Sequence, residues 1–141
     1  MTREETEALF ARRQAAFNRH DAAALAADHA LTCVVESPTA AGTVSGREAI
    51  ADVYRAWFKA FPDFEFRHGD LLVDGNRVAL VSTAAGTNAA GFLGLPATGK
   101  RFKFPVICVY RFEGSEIVHE QRVYDFSGML IQIGMLKAKP A

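Results

Sequence analysis

The sequence lacks an excess of charge and a long apolar run. Its 141 residues carry sixteen basic and sixteen acidic side chains, so the formal net charge is zero. Nucleic-acid binding at this balance would need a concentrated basic patch, and residues 99–103 form only a short basic cluster. No stretch approaches the roughly 20 apolar residues of a membrane-spanning helix. We therefore expect no nucleic-acid partner and no membrane partner.

The sequence also lacks the motifs of metal, disulfide and cofactor chemistry. Cys33 and Cys108 lie in apolar runs without Cys-x-x-Cys spacing, which is typical of buried free thiols in a reducing compartment. His20, His29 and His68 are scattered and predict no metal site. A Rossmann fingerprint, a P-loop and a nucleophile elbow are missing. With these motifs missing, the chain is expected to need no cofactor. With no apolar leader at its start, it is expected to be cytoplasmic.

Aromatic side chains, in contrast, are abundant. The chain has eleven Phe, three Tyr and one Trp, each of which buries about 150–250 Å² when packed. This exceeds the needs of a core in a chain of this length, so we expect part of the surplus to line a cavity. The length predicts one domain spanning residues 1–141.

The first half of the chain reads as helices. Thr2 and Glu5 form a capping box that opens a helix ending near Asn18, and Asp21 caps a short Ala-rich helix. Residues 45–48 resemble a second capping box, which predicts a third helix ended by Pro62. That helix carries an apolar stripe at helical spacing, formed by Ile50, Val53, Tyr54, Trp57, Phe58 and Phe61.

The second half reads as strands. Residues 33–36 predict a short strand, and residues 64–73, 77–87, 102–112 and 117–125 predict longer ones. The turns between them are short, apart from a Gly-rich connection at 88–100, which favours antiparallel pairing. Helices followed by long strands indicate an α+β fold with helices on one face of a curved sheet.

The last predicted strand carries the candidate acid/base groups. Side chains alternate between the two faces of a strand, so His119, Gln121, Val123 and Asp125 share one face with Ile117. If that face is the interior, burial raises the pKa of Asp125 toward a value useful for proton transfer. His119 is then a second acid/base candidate, and Gln121 would hydrogen-bond a carbonyl oxygen. Alternatively, Asp125 caps the turn that follows it.

Other residues are candidates for the wall of a substrate pocket. Tyr54 and Trp57 lie on the third helix's apolar stripe, and the Tyr54 phenol is suited to an oxyanion. Tyr110 lies on the fully apolar face of strand 102–112. Asn18, Glu36 and the strand residue Val123 complete the predicted pocket set.

The opposite face of strand 102–112 predicts a contact between two copies of the chain. Its centre is apolar, with Pro105, Ile107 and Val109, and its ends are basic. An exposed apolar patch rimmed by charge is typical of a partner surface. We therefore expect a homodimer formed through the outer sheet face.

Several segments together resemble a known family. They are Gly46-Arg47-Glu48-Ala49-Ile50, Phe61-Pro62-Asp63-Phe64, Gly86-Thr87-Asn88-Ala89-Ala90-Gly91, the run 94–100, Tyr124-Asp125, and the run 130–134. In order and spacing they resemble the SnoaL-like polyketide cyclases of the NTF2-like superfamily, which also holds ketosteroid isomerase and limonene epoxide hydrolase. Val123 and Asn88 stand where that family often has histidine.

The resemblance implies a cone-shaped α+β barrel, with a mixed or antiparallel sheet curled around a pocket that the helices close. It also implies that Asp125 acts as general acid/base in cyclisation or isomerisation of a hydrophobic carbonyl substrate, without a cofactor. Two alternatives stay open. An epoxide hydrolase of this fold would need a second inward carboxylate, for which Glu36 is the only stand-in. A non-enzymatic module would bind a small hydrophobic ligand in the same pocket.

Overall fold

The N-terminal helices begin where their capping residues predict. The computed structural model describes residues 1–39 and 42–137. Helix α1 spans Arg3–Asn18, and both bonds of the Thr2–Glu5 capping box are present. Helix α2 spans Ala22–Ala27, with the Asp21 carboxylate accepting from the Ala24 amide. Both segments confirm the helices predicted from the sequence.

Six strands and two further helices complete the order of elements. After α2 come β1 (His29–Glu36), β2 (Thr43–Ser45), α3 (Arg47–Ala60), β3 (Glu65–Asp74), β4 (Arg77–Thr87), β5 (Arg101–Glu113), β6 (Glu116–Val123) and α4 (Phe126–Gln132). The four long strands lie within a few residues of their predicted bounds, whereas β1 begins four residues earlier. The short strand β2 and the helix α4 were not predicted as regular elements.

The α+β prediction is confirmed, with a sheet that is mixed and open. Its order is β2-β1-β6-β5-β4-β3, so β2 and β3 lie at the two edges among the described residues. The pairs β3–β4, β4–β5, β5–β6 and β1–β2 are antiparallel, and the pair β1–β6 is parallel. The parallel pair places the first strand beside the last one.

Helices α1 and α3 pack on one face of this sheet. Phe10 of α1 lies edge-on to Tyr110 of β5 with ring centroids 5.1 Å apart. Phe61, directly after α3, meets Phe102 of β5 at 4.9 Å. Between the helices and the sheet, Phe17 packs against Tyr54 at 5.8 Å. The aromatic surplus therefore lies in one layer, where it forms the core and the wall of a cavity.

The start of α3 differs from the predicted capping box. Gly46 is the N-cap residue, and no side chain caps the helix. Its φ of +91° lies in the left-handed region, which glycine adopts without the steric cost that a Cβ adds. The Ser45 box prediction was therefore wrong by one residue, because glycine's backbone freedom sets this boundary.

Candidate functional site

A pocket lies between α1, α3 and the inner face of the sheet. It holds a cavity of about 60 Å³. Its walls are mostly aromatic and apolar, formed by Phe17, Trp57, Phe58, Phe64, Phe66, Ala84, Phe104, Val106 and Tyr110. Its polar lining comes from Ser37, Tyr54, Cys108, Glu120, Arg122 and Tyr124. An apolar concavity with a few converging polar groups is the usual form of a small-molecule site.

A bulge in β6 decides which side chains enter this pocket. Phe112 of β5 pairs with Ile117, but the preceding Arg111 pairs with His119, so Val118 is an extra residue. An extra residue shifts the alternation of side chains by one. After the bulge, Glu120 lies opposite Tyr110 and Arg122 lies opposite Cys108. Directly paired residues share a face, so Glu120, Arg122 and then Tyr124 point inward.

This shift corrects the predicted orientation of the β6 residues. Val123 is 50% exposed on the outer face, and Gln121 is exposed as well. Asp125 is exposed at the N-cap of α4, where its carboxylate accepts from the Gly128 amide at 2.8 Å. The prediction that these side chains face the interior was wrong, because it assumed unbroken alternation from Ile117. The capping alternative describes the observed placement of Asp125.

The remaining predicted residues divide between the pocket and the surface. Tyr54, Trp57 and Tyr110 line the pocket as expected. His119 is absent from the lining, and its Nε2 lies 2.8 Å from the Glu36 carboxylate on the neighbouring strand. Asn18 is exposed at the end of α1, where its side chain accepts from Gln14. His119, Glu36 and Asn18 therefore have no contact with the cavity in this structure.

Glu120 forms the buried carboxylate of the site. Its Oε1 lies 2.9 Å from His29 Nε2, and its Oε2 accepts from Arg122 Nε at 2.6 Å. Burial by itself would raise the pKa of Glu120, but the Arg122 charge and the His29 hydrogen bond outweigh it and hold that pKa well below its usual range. Glu120 is therefore ionised at neutral pH, with both oxygens engaged.

The Tyr54 hydroxyl is polarised by two arginine side chains. Its hydroxyl oxygen accepts from Arg13 Nη2 and from Arg122 Nη2, each at 3.0 Å. The Arg122 guanidinium also lies over the Tyr54 ring, 5.0 Å from its centroid. Burial raises the pKa of the Tyr54 phenol, while the two arginine charges oppose that rise. The group stays protonated at neutral pH and has a polarised O–H bond.

Arg13 connects this cluster to the helical layer. Its side chain is buried, and Nη1 donates to the Leu25 carbonyl and to the Asp28 carboxylate, each at 2.9 Å. Arg13, Glu120 and Arg122 were not among the residues predicted for the site. The i, i+2, i+4 spacing of Glu120, Arg122 and Tyr124 indicates that these side chains share one face of a strand. Whether that face points into the pocket depended on the bulge.

The described residues contain no candidate metal centre. Within 1–39 and 42–137, no group of three or more His, Cys, Asp or Glu side chains is placed to hold an ion. In the same part of the chain, no helix is long and apolar enough to cross a membrane.

Comparison with known families agrees with this fold and pocket. The family model of the SnoaL-like polyketide cyclases matches residues 8–133, so the chain belongs to that family. No curated protein matches its sequence.

Solved structures give the same assignment. AclR, a putative hydroxylase from Streptomyces galilaeus, is 26% identical with a TM-score of 0.83, over 99% of this chain and 91% of that one. IdmH, a putative polyketide cyclase from Streptomyces antibioticus, is 27% identical with a TM-score of 0.74, over 91% and 97%. An NTF2-like protein from Burkholderia thailandensis is 30% identical with a TM-score of 0.69, over 83% and 88%. Together they confirm the predicted relationship to the SnoaL-like and NTF2-like proteins.

Proposed function

We propose that this protein is a cofactor-independent cyclase or isomerase that binds a small hydrophobic carbonyl compound in the aromatic pocket. The observation that carries the proposal is the environment of the Tyr54 hydroxyl. Its oxygen accepts two hydrogen bonds from guanidinium groups, which occupy both of its lone pairs. Among the described residues no side chain accepts the Tyr54 proton, so that proton is available to a ligand.

The chemistry assigned to Tyr54 is polarisation of a carbonyl. A substrate carbonyl oxygen in the cavity would accept the Tyr54 O–H bond, and the guanidinium groups would stabilise negative charge that develops along it. Donors placed in a dry site before the reaction act strongly on a developing oxyanion. Electron density drawn to the oxygen makes the carbonyl carbon electrophilic for ring closure and the α-carbon acidic. The α-proton would pass to water, because both oxygens of Glu120 are engaged.

This proposal assigns the acid role expected of Asp125 to Tyr54. Asp125 is exposed and its carboxylate is engaged by the Gly128 amide. Tyr54 is buried and lines the cavity. A group must reach the reacting atoms before its pKa matters, and the place of Tyr54 in the cavity wall supports its assignment.

Epoxide hydrolysis receives less support from the same geometry. Glu120 is the one carboxylate in the pocket lining of the described residues. Its two oxygens are already bonded to His29 and Arg122. Glu36, proposed as a stand-in for a second inward carboxylate, pairs with His119 away from the cavity. Activation of water between two carboxylates therefore has no counterpart here.

Replacement of Tyr54 by Phe tests the assignment. The variant keeps the ring and removes the hydroxyl, so turnover on a panel of hydrophobic carbonyl compounds should fall by about 10²–10³, the scale of one lost oxyanion donor. Binding of the same compounds should change much less. Tyr124→Phe is the matched control, since it removes another pocket hydroxyl without touching the guanidinium pair. A fully active Tyr54→Phe enzyme would refute the mechanism, and wild-type binding without turnover would favour a binding module.

We also propose that two copies of the chain associate through the outer sheet face. Val81, Ile107 and Val123 are exposed and adjacent, because Ile107 pairs directly with each of the other two across the strands. Pro105 on the same strand is exposed too. An apolar row across three strands of a sheet can pair with the same row of a second copy in a two-fold contact.

A further inference from the structure

We infer that the pocket takes carbonyl compounds with a single ring, and that His20 sets this size limit by holding two aromatic residues of the cavity wall. His20 is not part of the lining, but it contacts Phe58 and Phe64, which are. This inference rests on the proposed function, because it names the size class of compound bound in that same pocket.

The first support is the volume of the cavity. About 60 Å³ corresponds to roughly four to six waters, at about 10–15 Å³ each on this measure. That is roughly the space of one six-membered ring. A ligand with a second fused ring would enter only if part of the wall moved.

The second support is that the wall has a confined side and a less confined side. On the sheet side the lining residues Phe66, Phe104 and Tyr110 are buried, and close packing leaves buried side chains little freedom to move. Phe58 and Phe64 line the cavity too, but they are half-buried. They therefore separate the cavity from solvent, and their displacement would enlarge it at the lowest cost.

The other half-buried aromatic residues of the lining are held by the core itself. Trp57 packs against the buried Phe92 with ring centroids 5.0 Å apart. Tyr124 stacks on the buried Phe104 at 5.2 Å. The wall next to α1 therefore depends on a different contact, which His20 makes.

His20 holds Phe58 and Phe64 together. Its imidazole stacks on the Phe58 ring with centroids 4.3 Å apart and planes at 4°. The rings of Phe17, Phe64 and Tyr54 lie farther from Phe58, at 6.0–6.4 Å. His20 Nε2 lies 2.8 Å from the Phe64 carbonyl oxygen and donates to it, since a carbonyl only accepts. One side chain thus fixes a ring of the wall and the backbone of its neighbour.

The backbone of His20 shows that its side chain has a role beyond ending α1. His20 directly follows the C-cap residue Arg19 and has a φ of +55°. Glycine is the usual residue at this place, because a Cβ is strained in the left-handed region. Within residues 1–39 and 42–137, only His20 and Leu93 combine a positive φ with a side chain. Strain of this kind is typical of functional positions.

Two ketones of different size test the limit. Trp57 is the chain's one tryptophan and lines the pocket, so its fluorescence reports binding. Cyclohexanone has one ring, and 2-decalone carries the same carbonyl group on two fused rings. Each buried methylene raises affinity about fourfold, so a pocket with room for both rings would bind 2-decalone at least about tenfold more tightly. We expect the wild type to bind 2-decalone no more tightly than cyclohexanone.

Variants of the wall locate the limit. His20→Gly removes both contacts and suits the backbone, so 2-decalone should gain at least about tenfold in affinity relative to cyclohexanone. Phe58→Leu shortens the wall directly and should give a similar gain. His20→Phe keeps the stacked ring without the donor, and His20→Gln keeps a donor without the ring. Each should give a smaller gain than His20→Gly, because each keeps one of the two contacts.

Leu93→Gly is the matched control for the backbone. Leu93 has a φ of +51° and is 52% exposed in the connection between β4 and β5, away from the cavity lining. The substitution relieves the same kind of backbone strain and should leave the ratio of the two affinities unchanged. Far-UV circular dichroism and thermal unfolding verify that each variant is folded. If His20→Gly does not fold, Phe58→Leu, His20→Gln and the wild-type ketone pair decide the question.

The outcomes separate this inference from the proposed function. A wild type that bound 2-decalone at least tenfold more tightly than cyclohexanone would overturn the size limit and leave the role of Tyr54 standing. An unchanged affinity ratio in folded His20→Gly would overturn the role of His20. Tyr54→Phe should keep the wild-type ratio, so loss of its turnover and loss of the size limit are independent results. Failure of both ketones to bind any form of the protein would refute this inference and the pocket-binding step of the proposed function together.

Discussion

Replacement of Asp125 separates a structural carboxylate from a catalytic one. In this structure the Asp125 side chain accepts a single hydrogen bond, from the Gly128 amide at the start of α4. Asp125→Ala removes that acceptor and leaves a free helix amide, whereas Asp125→Asn keeps an oxygen at the same position. The pair of variants therefore separates loss of the cap from loss of the charge.

The size of the expected effect follows from the geometry of the cap. Loss of an N-cap side chain costs about 1 kcal/mol, within a range of roughly 0.5–2 kcal/mol. Helix α4 is also held by Met129 and Ile133, which are fully buried, so it should stay docked without its cap. For a chain of this length, about 1 kcal/mol lowers Tm by about 3–5 °C. Asp125→Asn should shift Tm by much less.

Thermal and urea unfolding measure the stability of both variants, and turnover on the carbonyl panel measures their activity. Asp21→Ala is the matched control, since Asp21 caps α2 by the same kind of bond at 3.0 Å. Both Ala variants should lose similar stability and keep activity. If Asp125→Asn kept its Tm but lost about 10²–10⁴ in turnover, the scale of general acid–base catalysis, our placement of the acid at Tyr54 would be refuted.

Two further predictions concern acid stability and association. Burial among Phe10, Phe17 and Phe66 lowers the pKa of His68 from 6.5 to about 4, so the unfolded chain binds a proton at a higher pH than the folded one. The free energy of unfolding should then fall by about 2–3 kcal/mol as pH drops from 6.5 to 4. The fall between these pH values should be smaller by about that amount in both His68→Gln and His68→Phe, and the remainder comes from carboxyls with a lowered pKa such as Glu120. An unchanged fall in urea titrations of both variants would contradict the assignment to His68. Ile107→Glu should yield monomers in sedimentation at micromolar concentration by placing a charge in the outer apolar row, whereas Leu93→Glu, at an exposed residue of the connection between β4 and β5, should not. A monomeric wild type would rule out the proposed dimer.

The elements predicted correctly are those whose signals are local in the sequence. The capping box of α1 and the Asp21 cap of α2 lie within one helical turn of the residues they stabilise. Strand β4 has the bounds read from its pattern, Arg77–Thr87, because turn residues flank it on both sides. The α3 stripe correctly placed Tyr54 and Trp57 against a cavity, since helical spacing fixes which side chains share a face.

Which residues of β6 meet that cavity depends on the pairing of β6 with β5. Val118 is an extra residue because the register between β5 and β6 shifts at this point. The sequence of β6 alone does not predict this bulge. It turns Asp125, Gln121 and Val123 away from the pocket and turns Glu120 and Arg122 toward it. The partners of Tyr54 come from α1 and β6, 41 and 68 residues away in sequence. A site assembled by such long-range contacts depends on register and packing, which local sequence patterns do not contain.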